Sequence, residues 1–241
     1  MRHASRRSGR TALVTVALAA SLALSSCSLL EKDDAPSGTP APSPSASAAA
    51  EVYNSQFTRD GTFQSHIDRS QLDFVYTIYP TKSTPRTNEW YPLGNKYFTF
   101  TLQAYDLKQG LRAPFATKRK VYLDTIEVTS TTMTVDGGKT QHPYTLDAVA
   151  KDVTFDPEPL STKYGMLITS PKGSLELRNQ KIKPTSLDTR GIDLTFVATV
   201  WAETFAGSGK FYSMKIKQSV PIAIFESDKP TVAAKIPINS N

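Results

Sequence analysis

The sequence predicts an all-β domain, an antiparallel sandwich that is immunoglobulin-like in the broad sense, with a β-barrel as the alternative. Long segments alternate apolar and polar residues with period two. Tight-turn residues punctuate them, and no segment carries a sustained 3.6-residue apolar stripe. Such a pattern belongs to strands that pack on one face only, about eight to ten of them by the spacing of the turns.

The alternation is clearest in three places. Leu72, Phe74, Tyr76 and Ile78 share one face of QLDFVYTIY. Phe98, Phe100, Leu102 and Ala104 do the same in KYFTFTLQAYD, and so do Ile192, Leu194, Phe196, Ala198, Val200 and Ala202 in GIDLTFVATVWAE. Because side chains point to opposite faces in turn along a strand, each set marks a core-facing row. KVYLDTIEVTS and FYSMKIKQSVPIAIFE are strand-like by residue type, although their alternation slips. Pro221 in the second marks a break, a bulge or an edge, since it has no N–H to give a neighbouring strand. Asp136-Gly137-Gly138, Ser170-Pro171-Lys172-Gly173 and Gly207-Ser208-Gly209 are the expected turns. TLDAVAKDV (145–153) and SHIDRSQL (65–72) are the two places where a short helix is expected.

The first 52 residues have a different character. MRHASRRSGR holds four arginines and no acid, and an apolar run from Thr11 to Leu24 follows. At about 14 residues that run is too short to span a bilayer, which needs roughly 20, and it has the make-up of a secretory signal peptide. The run closes on Leu24-Ser25-Ser26-Cys27, which resembles the lipobox of bacterial lipoproteins. The resemblance implies cleavage before Cys27 and a diacylglycerol thioether on its sulfur. Residues 1–26 are then a lipoprotein signal peptide, and 27–52 the lipidated cysteine with its linker. The Ala/Thr/Ser-rich leader and the Pro/Ser tether are similar to those of actinobacterial lipoproteins over the first fifth of the chain. Pro36, Pro40, Pro42 and Pro44 lie among Ser, Ala, Thr and Gly, a composition too poor in apolar surface to offset its ordering entropy. As a flexible coil such a tether spans roughly 25–30 Å, and stretched up to about 75 Å. The domain proper is expected over 53–241.

Composition excludes several function classes. Cys27 is the one cysteine, so acylation leaves no thiol for a disulfide, for nucleophilic catalysis or for a cysteine–zinc site. The formal charge of +6 belongs to the whole chain. Removing Arg2, Arg6, Arg7 and Arg10 leaves 24 of the 28 basic residues against 22 acidic ones, near neutrality, and nothing calls for nucleic acid. His66 and His142 are far apart and lack ligand spacing, and AGSGKF (206–211) departs from a phosphate loop at Thr204 and Phe211. No metal or cofactor is expected. Asp156 with Glu158, and Asp124 with Glu127, are the carboxylate pairs a glycan hydrolase or transferase would need. The plainer reading of each is a turn or a solvated strand face.

Two features suit binding. A proline-rich loop carries Trp90 and Tyr91 between two clear strands, and stiff aromatic faces take sugar rings or a partner's apolar anchor. The competing reading has both rings capping the core. Lys118-Arg119-Lys120 with Arg112 forms a local basic patch suited to lipid headgroups or wall polyanions. Together these readings describe a non-enzymatic binding or assembly module, lipid-anchored on the outer face of the cytoplasmic membrane. Its expected partners are the bilayer, through acylated Cys27, and an envelope protein or glycan. A carboxylate-pair enzyme and an envelope lipid carrier are the alternatives. The anchor is directly testable: Cys27→Ala removes the acceptor sulfur, and the protein is expected to leave the detergent phase and lose the mature lipoprotein form. A mature, detergent-phase Cys27→Ala species would eliminate the lipoprotein reading.

Overall fold

The computed structural model describes residues 55–81, 89–135 and 137–226. Cys27, the leader, the tether, Pro85 of the proline-rich loop and Asp136 of the Asp-Gly-Gly turn lie outside the described residues. In chain order the elements are α1 (Gln56–Asp60), β1 (Phe63–Arg69), β2 (Leu72–Pro80), β3 (Lys96–Asp106), β4 (Val121–Thr134) and β5 (Thr145–Val149). The single-turn helix α2 (Ala150–Val153), β6 (Ser161–Thr162), β7 (Gly165–Leu167), β8 (Leu175–Ile182), β9 (Thr189–Glu203) and β10 (Phe211–Ala223) follow.

These strands form two antiparallel sheets and no closed barrel. The smaller has the order β1-β2-β3-β8, the larger β10-β9-β4-β7-β6, with β5 paired to the later part of β4. All three alternating rows read from the sequence face inward and are fully buried. Phe196 of the larger sheet meets Phe100 of the smaller edge-on at 4.8 Å and lies 6.0 Å from Tyr76. Each such side chain is worth about 1.5–3 kcal/mol of burial, which is how a domain without cross-links holds its two layers together.

Local chemistry explains where the elements depart from expectation. SHIDRSQL is strand β1 and the tight turn into β2, because Ser70 and Gln71 both take positive φ (53° and 61°), as a two-residue hairpin turn requires. TLDAVAKDV is strand β5 followed by one helical turn. The slipped alternation in KVYLDTIEVTS is a β-bulge between Leu123 and Thr125. Pro221 lies on β10, an edge strand of its sheet, where its missing N–H costs no ladder bond. That edge is covered: Ser55 Oγ donates to the Pro221 carbonyl (2.8 Å), Ser65 Oγ to Gln218 Oε1 (2.6 Å) and Arg69 Nη1 to the Lys215 carbonyl (3.0 Å).

Two cations secure the opposite ends of the sandwich. At one end Lys96 is buried and donates to the carbonyls of Pro92 (3.1 Å) and Gly94 (2.7 Å), clipping the loop after Trp90 onto β3. Burial pushes its ammonium down to about 8. At the other, Arg119 donates from Nε (3.1 Å) and Nη2 (2.8 Å) to Asp106 Oδ1, from Nη1 to the Ser70 carbonyl and from Nη2 to the Gln71 carbonyl. Asp106 Oδ2 accepts from the Arg119 backbone N–H at 2.9 Å, and Oδ1 from that of Lys108 at 3.2 Å. This pair therefore straps the β1–β2 turn and the end of β3 to the start of β4, in the other sheet.

Burial alone would raise the Asp106 carboxyl, but the hydrogen bonds from Arg119 and Lys108 and the charge of Arg119 together hold it below the ordinary value of 3.8. A group held low in the folded state stabilises above its unfolded pKa, and that stability is lost as pH falls through the folded value. Asp106→Ala strands the guanidinium and is expected to cost about 3–5 kcal/mol at neutral pH. Urea melts at descending pH should show the gap between wild type and Asp106→Ala closing below about pH 3.8. A gap independent of pH would mean that the carboxylate charge contributes nothing.

Candidate functional site

The residues first expected to bind a partner are largely spent on the fold. Trp90 is only 4% exposed and packs edge-on against Phe57 of α1, with ring centroids 4.8 Å apart. Its carbonyl accepts from the Phe225 N–H at 2.8 Å, so it caps the core where β10 ends. Tyr91 is half-buried, 6.2 Å from the Phe225 ring, and its hydroxyl donates to Glu89 Oε2 at 3.3 Å. The basic patch does not form. Lys118 and Arg119 are each 3% exposed, Lys118 Nζ donates to the Leu111 carbonyl at 2.8 Å, and Lys120 Nζ sits 3.7 Å from Glu203. Of the four cations only Arg112 is exposed. Their burial reflects the strap described above, which the sequence spacing alone does not reveal.

The candidate catalytic groups are likewise engaged locally. Asp156 Oδ1 accepts from the Glu158 backbone N–H at 3.0 Å, a turn on the surface. His66 Nδ1 lies 2.8 Å from Asp73 Oδ2 on the outer face of the smaller sheet, and His142 Nδ1 lies 2.6 Å from the Ser130 carbonyl. Among the described residues no group of three or more His, Cys, Asp or Glu could hold a metal ion, and no helix is long and apolar enough to cross a membrane. An open groove of about 180 Å³ lies between Phe155, Asp156 and the Pro171–Ser174 turn. One wall is stiffened by Arg178, which stacks on Phe155 at 3.3 Å and is paired with Glu176 at 2.6 Å.

The most developed surface feature is an aromatic cluster on the outer face of the larger sheet. On β9, Val200 and Ala202 point into the core, so Trp201 between them points out. Strand register sets Tyr122 of β4 directly opposite Trp201, and Ser213 of β10 on its other side. Tyr164, in the β6–β7 turn, lies over this row: 4.5 Å from Phe211, 5.3 Å from Trp201 and 6.4 Å from Tyr122. Tyr122 and Phe211 meet edge-on at 5.6 Å. Tyr164, Trp201 and Phe211 are half-buried; Tyr122 is the buried floor at 9%.

Two backbone features build the cluster. The bulge at Leu123/Thr125 turns Asp124 outward beside Thr125, and Trp201 Nε1 donates to Asp124 Oδ2 at 3.4 Å. Bulges commonly re-aim a side chain in this way. Gly165, after Tyr164, has φ +107°, and a Cβ there would lie 2.0 Å from the Leu123 carbonyl oxygen. Only glycine lets the turn press this closely onto the bulged strand and carry Tyr164 over its neighbours. Burial, and then the nearby Glu203 carboxylate, raise the Tyr122 hydroxyl, so it stays protonated as a donor. The readable signal was Trp201 itself, a large ring on the polar side of an alternating strand. Its neighbours required the register.

No family model and no curated protein matches this chain. Among solved structures, a copper-bound variant of FetP from uropathogenic Escherichia coli aligns with 72% of this chain and 99% of its own, at 7% identity and a TM-score of 0.25. A likeness of that size carries no argument about fold or function.

The two tryptophans are expected to separate in a stability measurement. Trp90→Ala removes a buried ring and should cost about 3–5 kcal/mol. Trp201→Ala trims a half-buried ring on the outer face and should cost about 1 kcal/mol. Paired urea melts read both; equal costs would show that the outer cluster is as structural as the core.

Proposed function

We propose that the chain is a non-enzymatic binding module of the bacterial cell envelope, held on the outer face of the cytoplasmic membrane through acylated Cys27. The outer aromatic cluster is the face it offers to a partner. The lipobox-like Leu24-Ser25-Ser26-Cys27 and the Pro/Ser linker support the anchor. The observation that carries the binding role is the position of the cluster. The described chain begins at Ser55, whose hydroxyl bonds Pro221 near the end of β10, whereas Phe211 opens that strand. Ten residues of strand, about 33 Å, separate the two points. The cluster thus lies at the opposite end of β10 from Ser55.

Other features agree with a binding module. The space between the sheets is filled by packed aromatic and aliphatic side chains, which speaks against an internal lipid cargo. Asp124, a member of one candidate carboxylate pair, is held by the Trp201 indole rather than aimed at a cleft.

A photo-crosslinking residue at Ser213, exposed beside Trp201, tests the reading in the full chain in intact cells. An envelope adduct is expected that Trp201→Ala weakens several-fold, with none from the same residue placed at Asp68, which is exposed on β1 of the other sheet. Equal adducts from both positions, or an adduct indifferent to Trp201, would overturn it.

A further inference from the structure

Separately from the aromatic cluster, we infer that the loops at the Asp106–Arg119 end of the sandwich contact an anionic lipid bilayer. Leu111 and Phe205 enter its headgroup region, beside exposed lysine and arginine side chains. Among the described residues these are the two most exposed large apolar side chains, at 72% and 64%, and Leu107 is 53% exposed. All three stand on loops that leave the same end. Leu107 directly follows Asp106, the last residue of β3, and the chain then crosses to Val121 of β4, in the other sheet. Val121 opposes Ala202, and the Glu203 N–H donates to the Lys120 carbonyl at 2.9 Å. The turn over 204–210 therefore starts beside the end of the 107–120 loop. A lone exposed leucine is ordinary on a protein surface; several at one end, set among cations, have the make-up of an interfacial membrane contact.

Polar and backbone bonds set both loop tips and leave these apolar side chains to solvent. The buried Lys118 ammonium donates to the Leu111 carbonyl at 2.8 Å, and the Ala113 N–H to that of Gly110 at 2.9 Å. The Phe205 carbonyl accepts from the Ser208 N–H at 3.0 Å, and Glu203 from the Gly209 N–H at 3.1 Å. Tips held in this way need little ordering on contact. Lys108 and Arg112 follow Leu107 and Leu111, and Lys210 closes the Phe205 turn. All three cations are exposed, and none has an ion-pair partner among the described residues. Residues 107–120 hold no acid, and Glu203 at the base of the turn is buried. Lys172 adds a charge, 5.0 Å from the Phe115 ring of the longer loop. Exposed acids at this end lie on other segments. Asp156 and Glu158 flank Leu160 across the groove from the Pro171–Ser174 turn, and Asp68 faces out from β1. Apolar tips add burial and cations add attraction, so a bilayer that offers both an interior and phosphates uses the whole surface. A soluble polyanion would use only the cations. On the anchor proposed above, the expected linker stretches to about 75 Å, against about 43 Å for the 13 residues of β10. This end can therefore touch the bilayer that holds Cys27.

The test uses the chain from residue 27 onward with Cys27→Ser, which carries no acyl group and, since Cys27 is the one cysteine, no thiol. Leu111→Cys, Phe205→Cys or Leu187→Cys then supplies a single site for an environment-sensitive fluorophore. Leu187 is 50% exposed at the opposite end, where the Thr185 N–H donates to the Pro92 carbonyl. Vesicles of phosphatidylglycerol and phosphatidylcholine are expected to shift the emission from Leu111→Cys and Phe205→Cys to the blue, saturably. The label on Leu187→Cys should not respond. In unlabelled protein, Leu111→Ser with Phe205→Ser, and separately Lys108→Glu with Arg112→Glu, should each weaken co-sedimentation with these vesicles about tenfold or more. Unchanged urea midpoints confirm folding, as expected for exposed positions. If a labelled variant fails to fold, the serine and glutamate pairs decide alone. No shift at the two loop positions, an equal shift at Leu187, or binding indifferent to either pair overturns the inference. Ser213 and Trp201 are untouched throughout, so the envelope adduct at Ser213 stands or fails independently of this result.

Discussion

The buried ion pair between Asp106 and Arg119 is the constraint on which one whole end of the molecule depends. Burying a guanidinium and a carboxylate is costly, and the cost is offset only when nearly every donor and acceptor is used. Here Arg119 uses its Nε, both terminal nitrogens and its backbone N–H, and the carbonyls of Ser70 and Gln71 complete its shell. The pair lies between the layers, so satisfying it fixes the β1–β2 turn and the end of β3 against the first residues of β4. Thr169 extends the same corner: its hydroxyl accepts from the Val121 N–H at 2.7 Å and donates to the Arg119 carbonyl at 3.2 Å. The start of β4 is thereby held from both sides, and two residues later its ladder slips into the bulge that turns Asp124 outward.

From that point the aromatic cluster is a matter of register. Once Leu123 opposes Val200, Tyr122 must oppose Trp201, and the antiparallel run of β10 places Phe211 across from Glu203 at the same end of the sheet. Tyr164 arrives from a different part of the chain, on a turn that approaches β4 closely because Gly165 has no side chain. Four rings from four segments converge without any being adjacent in sequence. Trp90 shows the contrary outcome. It stands beside prolines in a loop, where exposure is expected, yet Phe57 of α1 and Phe225 beyond β10 fold over that end and enclose it. The difference between the two indoles is which end of the sandwich has segments left over to cover it.

The sequence by itself determined the layers. Alternation of apolar and polar residues needs only local geometry, because a strand points successive side chains to opposite faces wherever it lies. The inward rows of β2, β3 and β9 were therefore legible to the residue, as was the Gly207-Ser208-Gly209 turn between β9 and β10. Pro221 announced a break, a bulge or an edge, and β10 is the edge strand of its sheet. No helix forms over 65–72, and of 145–153 only Ala150–Val153 is helical, since composition there did not disclose that Ser70 and Gln71 form a two-residue turn, nor that Thr145–Val149 would find an open stretch of β4 to pair with.

Only the tertiary structure decided which polar and aromatic residues remain available to a partner. Lys118-Arg119-Lys120 reads as a solvated basic patch because charged residues ordinarily face water. Their carboxylate and carbonyl partners come from up to 83 residues away, and nothing in the spacing predicts such distant satisfaction. The same holds for the aromatic cluster, whose members are joined by strand register and by a bulge that shifts it by one residue. Burial pattern is a local property of a chain and can be read from it. Which groups meet across two sheets depends on pairings between distant segments, and those are settled only when the core, the buried charges and the turns are satisfied together.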